Sequence, residues 1–168
     1  MDYTCHYVSP LGGITLASDG EALTGLWFDG QKHFPAASGR EQKSLPVFEE
    51  AVKWLDLYFS GKDPGFTPKL SLRSTPFREA VWEMLRSIPF GTIVTYGEIA
   101  ARLAAERGLV KSSARAVGGA VGHNPISLII PCHRVVGAGG RLTGYAGGIE
   151  KKRFLLSLES IKNASCSM

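Results

Sequence analysis

Cysteine is scarce in this 168-residue chain: Cys5, Cys132 and Cys166 are the only three, and an odd, widely spaced set makes no disulfide framework. The opening MDYTCHYVSP lacks the basic and apolar regions of a secretory signal. No stretch approaches the roughly 18 uninterrupted apolar residues that a membrane span requires. These absences predict a cytoplasmic protein that does not associate with membranes. Metal-ligand clusters are missing too. Cys5, His6 and His33 have no convincing fourth partner, and adjacent Cys5 and His6 would face opposite ways, so no metal is expected. No motif asks for a cofactor.

What is present fits a globular chain that folds without staples, with 44% hydrophobic and 20% charged residues. The net charge of +4 is unevenly divided. Residues 1–67 hold 5 Lys and Arg against 9 Asp and Glu, whereas residues 68–168 hold 14 against 6. A basic half is commonly just a solvated face. It also suits a polyanion approaching one side, because Lys and Arg neutralising phosphates supply most non-specific affinity for nucleic acid.

Short apolar stretches at Tyr3 to Val8, Ile14 to Ala17 and Ala22 to Phe28, separated by Pro10-Leu11-Gly12-Gly13 and Asp19-Gly20, predict a small antiparallel β-meander. Val47, Ala51, Trp54, Leu55 and Tyr58 then recur at helical spacing, so one helix packs on that sheet. Residues 61–74, with Pro64, Gly65 and Pro68, read as a linker or long loop. This divides the chain into an N-terminal α/β domain over 1–67 and a C-terminal domain over 68–168. Thr75-Pro76 is a good cap and first-turn pair for a helix whose apolar face is Phe77, Val81, Leu85 and Ile88. Thr95 caps a helix through Leu103, and a second begins at Ser112 or Ser113 and runs to about Val121. Two short helices joined by a polar turn predict a helix-turn-helix.

That second helix, Ala114-Arg115-Ala116-Val117-Gly118-Gly119-Ala120, is nearly free of bulk. Such a helix packs closely on protein or lets something large approach it, and Arg115, one long cation among small residues, favours the second reading. Further on, Ile126 to Ile130 reads as a buried strand ended by Pro131. It delivers Cys132-His133-Arg134: a strong nucleophile beside the commonest general base and a cation. A thiol is only a few per cent ionised at neutral pH, so an attacking cysteine needs such neighbours. In an extended backbone Cys132 and His133 point to opposite faces, so a bridging water is the expected proton path unless the chain turns there. Residues 137–148 form a glycine-rich loop broken by Tyr145, fit for a pocket wall of peptide groups. A last helix from about Gly148 to Ser160 turns Phe154, Leu155 and Leu158 toward a core, with Glu159 one step past that face.

Four blocks in this order, Ser113 to Ala120, Gly122-His123-Asn124-Pro125, Ile130 to Val136 and Gly144-Tyr145-Ala146-Gly147-Gly148, closely resemble the methylated-DNA–protein-cysteine methyltransferases, which repair O6-alkylguanine. The likeness is close over residues 74–159, and residues 1–67 match the general pattern of the family's N-terminal domain. It implies an α/β (α+β) fold: an RNase H-like β-meander with a helix, then a mostly helical winged helix-turn-helix domain. It also implies that Cys132 takes the alkyl group irreversibly, once per molecule, with O4-alkylthymine as a second candidate substrate. Carried over by resemblance, His133 deprotonates Cys132 through a water, Glu159 holds the other ring nitrogen, and Asn124 braces the turn beneath the nucleophile. Tyr96 donates to guanine N3. Val135 and the Cys132 carbonyl accept from the exocyclic amine, and Tyr145 and the Ala146 N–H line the pocket around O6. The second helix enters the minor groove of double-stranded DNA without regard to sequence, Ala114, Ala116 and Gly118 allowing close approach while Arg115 fills the space left by an extruded base. The protein would act as a monomer.

Two departures from the family stand out. The turn from Ala104 to Ser112 is longer than in compact members, and residue 146 is Ala where some have Ser. Three other classes are open to test. An alkylated-DNA-binding relative lacks the acceptor cysteine. A cysteine hydrolase built on Cys132-His133-Glu159 would turn over esters or amides. A helix-turn-helix regulator would carry base-reading polar residues on its second helix.

Overall fold

A computed structural model describes residues 2–31, 41–107 and 114–166, the side chains of residues 41, 107 and 161–166 excepted. His33, Ser112, Ser113 and the distal part of the extended turn lie outside the described residues.

The predicted meander forms from β1 (Tyr3–Ser9), β2 (Gly12–Ser18) and β3 (Leu23–Phe28), all antiparallel, with β4 (Glu41–Gln42) added in parallel to the free edge of β1. Ile14, Leu16, Leu23, Leu26 and Phe28 are buried. Against this sheet lies α1 (Pro46–Phe59), whose first-turn proline suits a helix start and whose inner stripe is Val47, Phe48, Ala51, Trp54, Leu55 and Tyr58. The segment after it carries no helix but is tied down: Leu23 N–H donates to Lys69 O at 2.7 Å, and Ser71 N–H to Leu23 O at 2.9 Å. Residues 69–71 thus pair along β3 as they cross to the second half.

There α2 (Pro76–Arg86) begins where expected, capped by Thr75 Oγ1 accepting from Arg78 N–H at 3.2 Å. Thr95 and Glu98 form a reciprocal cap on α3 (Tyr96–Arg107), with Glu98 N–H on Thr95 Oγ1 at 3.0 Å and Thr95 N–H on Glu98 Oε2 at 3.2 Å. Ala104 to Arg107, read as turn, continue this helix. The small-residue helix, α4 (Ala114–Gly122), turns Val117, Ala120 and Val121 inward, and Trp82 Nε1–H donates to Ala120 O at 2.8 Å. Two short parallel strands, β5 (Val94–Thr95) and β6 (Val135–Val136), flank the pair α3 and α4.

The expected strand at Ile126 to Ile130 does not form. Among the described residues a single bridge, Leu26 to Ile126, joins it to the sheet; then the chain turns, with Leu128 at φ 70° and Ile130 N–H on Ile126 O at 3.1 Å. Asn124 replaces the missing ladder. Its Oδ1 accepts from Ile126 N–H at 3.0 Å and its Nδ2 donates to Ile130 O at 2.8 Å. Burial of Ile126, Leu128, Ile129 and Ile130 made the run look like a strand, but burial is all a strand and a packed turn share. In α5 (Ile149–Cys166) the buried face is Lys152, Leu155 and Glu159; Phe154, expected in the core, is 39% exposed.

Candidate active site

The turn braced by Asn124 delivers Cys132–Arg134 as a single 3-10 turn, not as extended chain, so the strand geometry that would separate Cys132 from His133 does not apply. Cys132 is 4% exposed and His133 fully buried. Burial pushes the Cys132 thiol up, against weaker opposing contributions from Asn124, Lys152 and Tyr145. Burial likewise lowers the His133 imidazole, against Glu159, which raises it. At rest the two are a neutral thiol and a neutral ring. An external or internal base must therefore take the thiol proton during any attack.

The ring's protonation follows from its partners. His133 Nε2 lies 2.6 Å from Glu159 Oε2, and Nδ1 is buried with no hydrogen-bond partner among the described residues. Burial raises the Glu159 carboxyl, but His133 and Arg134 outweigh it and hold it down at about 2. An ionised carboxylate only accepts, so Nε2 carries the proton and Nδ1 presents a bare lone pair. Glu159 Oε1 accepts from Arg134 Nε at 2.9 Å and from Gly91 N–H at 2.8 Å. Arg134 also donates from Nη1 to Ile88 O at 2.6 Å and from Nη2 to Glu159 Oε2 at 3.3 Å. This buried ion pair fixes α5 against the loop that follows α2.

Three members of the cluster escaped the sequence reading. Tyr58 of α1 donates from its hydroxyl to Glu159 Oε2 at 2.6 Å; its helical spacing marks it only as core, although a fully buried phenol normally finds a polar partner. Lys152 is fully buried, its Nζ donating to Thr143 O at 3.2 Å, and burial lowers its pKa while Cys132 raises it. A lysine at the third and seventh residue before Leu155 and Glu159 was the available signal. Thr143 Oγ1 donates to the Tyr96 hydroxyl at 3.1 Å, which leaves the Tyr96 proton free to donate elsewhere.

A cavity of about 410 Å³ opens beside this cluster, walled by Tyr96, Gly118, Gly119, Gly122, His123 and the stretch Thr143, Gly144, Tyr145 and Ala146. Tyr96 and Tyr145, 49 positions apart, thus meet at one pocket with α4 as its third side. The Tyr145 hydroxyl is buried close to Ser127 and Cys132, but with no well-formed hydrogen bond to any described residue. Cys132 is not itself in the wall. Val135 is fully buried in β6, and its N–H already donates to the Cys132 carbonyl. On the outer face of α4, Ala114, Arg115, Ala116 and Gly119 are exposed, Gly118 is half-buried, and a side chain added at Gly119 would meet nothing within 4 Å. In the N-terminal half His6 Nε2 pairs with Asp29 Oδ2 at 2.6 Å, and no group of three or more candidate ligands among the described residues could hold a metal ion.

Profiles of two families match the chain: 6-O-methylguanine DNA methyltransferase, ribonuclease-like domain, over residues 3–72, and 6-O-methylguanine DNA methyltransferase, DNA binding domain, over residues 76–161. The chain belongs to the methylated-DNA–protein-cysteine methyltransferase family. The family member from Haemophilus influenzae is 43% identical over 160 residues, 95% of this chain and 87% of that one. The crystal structure of Mycobacterium tuberculosis O6-methylguanine methyltransferase is 44% identical, with a TM-score of 0.85 over 96% of this chain and 94% of that one. The structure of Mycobacterium tuberculosis OGT in complex with DNA gives 0.82 over 96% and 93%. Membership carries the methyltransferase's activity, repair of O6-methylguanine in DNA by transfer of the alkyl group to a protein cysteine. No described helix is long and apolar enough to cross a membrane.

Proposed function

We propose that Cys132 is the alkyl acceptor and that His133 is its base, acting through a water at Nδ1. The observation that carries this reading is that one buried ring nitrogen, bare and unpartnered, lies in the same turn as the thiol while Glu159 holds the other. The sulfur attacks the alkyl carbon in line: the S–C bond forms, the C–O6 bond breaks, and the electron pair stays on guanine. The thiol proton passes to His133, where Glu159 stabilises the imidazolium. Tyr96, whose oxygen already accepts from Thr143, donates its proton to N3, so the base departs neutral and not as an anion. Tyr145 and the Ala146 N–H attend O6. Of the two acceptors expected for the exocyclic amine, the Cys132 carbonyl keeps one free lone pair. Asn124 braces the nucleophile's turn. A thioether has no good leaving group to give back, so each molecule reacts once.

The substrate is double-stranded DNA, read in its minor groove by α4. Ala114, Ala116 and Gly118 admit the backbone, and Arg115, which pairs with none of the described residues, occupies the space of the extruded nucleotide. No base-reading polar residue lies on that helix, which favours binding without regard to sequence; on this reading the protein works as a monomer in the cytoplasm. Residues 68–168 carry this surface and the acceptor; residues 1–67 form the supporting domain. Replacing His133 by Gln tests the relay. Transfer from O6-methylguanine duplex should fall about 10²–10⁴-fold at neutral pH and recover as pH is raised toward the thiol's own ionisation. Unchanged transfer by His133→Gln would remove the base from the mechanism.

A further inference from the structure

Tyr58 stands on α1, in the N-terminal domain, yet its hydroxyl is part of the buried cluster. The ring is fully buried, stacked on Trp54 at 5.2 Å and edge-on to Phe90 at 6.0 Å and to His133 at 6.1 Å. Packing on several sides therefore fixes where the hydroxyl sits. It donates to Glu159 Oε2 at 2.6 Å and lies 3.2 Å from His133 Nε2, which is itself 2.6 Å from the same oxygen. With Arg134 Nη2 at 3.3 Å, three donors share this carboxylate oxygen, and Tyr58 and His133 are the two close ones. Tyr58 remains protonated over the whole working range, because burial and then Glu159 push its pKa well above 10.

The groups that face the imidazole come from three elements. Glu159 on α5 favours a second proton on the ring; Arg134 in its own turn and Lys152 on α5 oppose one. Tyr58 on α1 adds no charge but engages the oxygen that accepts the Nε2 proton and thereby stabilises the doubly protonated ring. A carboxylate already accepting a short, charge-assisted hydrogen bond pulls less on its other donor. A general base is useful only while it is neutral.

We propose that Tyr58 is a positioning residue of the alkyl-transfer relay: by sharing Glu159 Oε2 with His133 it limits the carboxylate's hold on the imidazolium and keeps His133 neutral, with Nδ1 bare, at working pH. The inference rests on the relay proposed above. It gives the N-terminal domain a part in the chemistry, one hydroxyl at the domain interface, and makes the second half alone an incomplete machine.

Tyr58→Phe removes the hydroxyl and keeps the ring stack. In the full chain, single-turnover transfer from O6-methylguanine duplex should then lose its rate on the acid side about one pH unit higher than the wild type does, a roughly tenfold change in the ring's protonation equilibrium. The alkaline plateau should stay within about threefold, because the base itself is untouched. Replacing Tyr58 by 3-fluorotyrosine, a stronger donor of the same shape, should move the acid limb the other way and serves as the test if Tyr58→Phe does not fold. Acid limbs that coincide with the wild type in the folded variants, with only thermal stability altered, would overturn the proposal and leave Tyr58 a packing residue. His133→Gln separates the two ideas: if that variant is crippled while the Tyr58 variants are unshifted, this inference alone fails; if it is fully active, the relay fails with it.

Discussion

The outer face of α4 and the cluster beneath Cys132 lie close together and follow opposite rules. On the surface, Arg115 is exposed and pairs with no described residue, among alanines and glycines that leave open space. Beneath, Arg134 is 8% exposed and its guanidinium makes three hydrogen bonds, two of them to Glu159. One arginine has no partner among the described residues; the other is spent holding a carboxylate in place. Recognition of a foreign surface asks for unmet bonding capacity, whereas proton transfer asks for groups whose protonation is already decided. Among the described residues, His133 Nδ1 and the Tyr145 hydroxyl are buried without a well-formed hydrogen bond, and they sit where these rules meet.

If the division is real, mutations on either side should separate chemistry from binding. The largest combined effect is expected at Glu159. Glu159→Gln should slow transfer about 10²–10⁴-fold, since the ring loses its orienting anion. It should also cost about 3–5 kcal/mol of stability by leaving Arg134 buried and unpaired, read by urea unfolding. Duplex affinity of the folded fraction should not change. Arg115→Ala should do the reverse: transfer from duplex falls about 10–100-fold, while transfer from O6-methylguanine in single strands, which needs no base extruded, is nearly unaffected. Equal losses on both substrates would put Arg115 in the chemistry and break the distinction.

Acid stability gives a smaller effect confined to the buried side. Burial holds His133 below its ordinary value in the folded protein, and pairing with His133 and Arg134 holds Glu159 below its own in spite of burial. A depressed folded pKa contributes stability that is present above the unfolded value and lost as pH falls through the folded one. The His133 share should start to fade below about 6.5, and the Glu159 share, on the order of 3 kcal/mol, between about 4.5 and about 2. Chemical denaturation at stepped pH, wild type against Glu159→Gln, should show a flatter acid limb in the variant. Parallel limbs would mean that Glu159 is not the group titrating.

Local signals in the sequence carried much of the fold. Thr75-Pro76 and the Thr95/Glu98 pair announce helix starts because a cap acts within one turn, and the meander follows from alternation and turn residues. The acceptor turn was less legible. Ile126 to Ile130 has the apolar content of a strand, and what bends it is one amide, Asn124, bonding at two points six residues apart or less. Long-range placement escaped almost wholly. Nothing near Tyr58 indicates that its hydroxyl meets a carboxylate 101 residues later, and Lys152 looks like a solvated helix charge until Thr143 O and Cys132 are set around it. Phe154 erred in the opposite sense, since the inner face of α5 is spent on Lys152 and Glu159.

The central claim is that one sulfur, served by a buried base, removes the alkyl group once and permanently. Titrating the protein with excess O6-methylguanine duplex and following it by intact-protein mass spectrometry and peptide mapping tests this directly. The account predicts a plateau at one added methyl per chain, located on Cys132, and no uptake by Cys132→Ala. Continued turnover beyond one equivalent, or a methyl on any other residue, would contradict it.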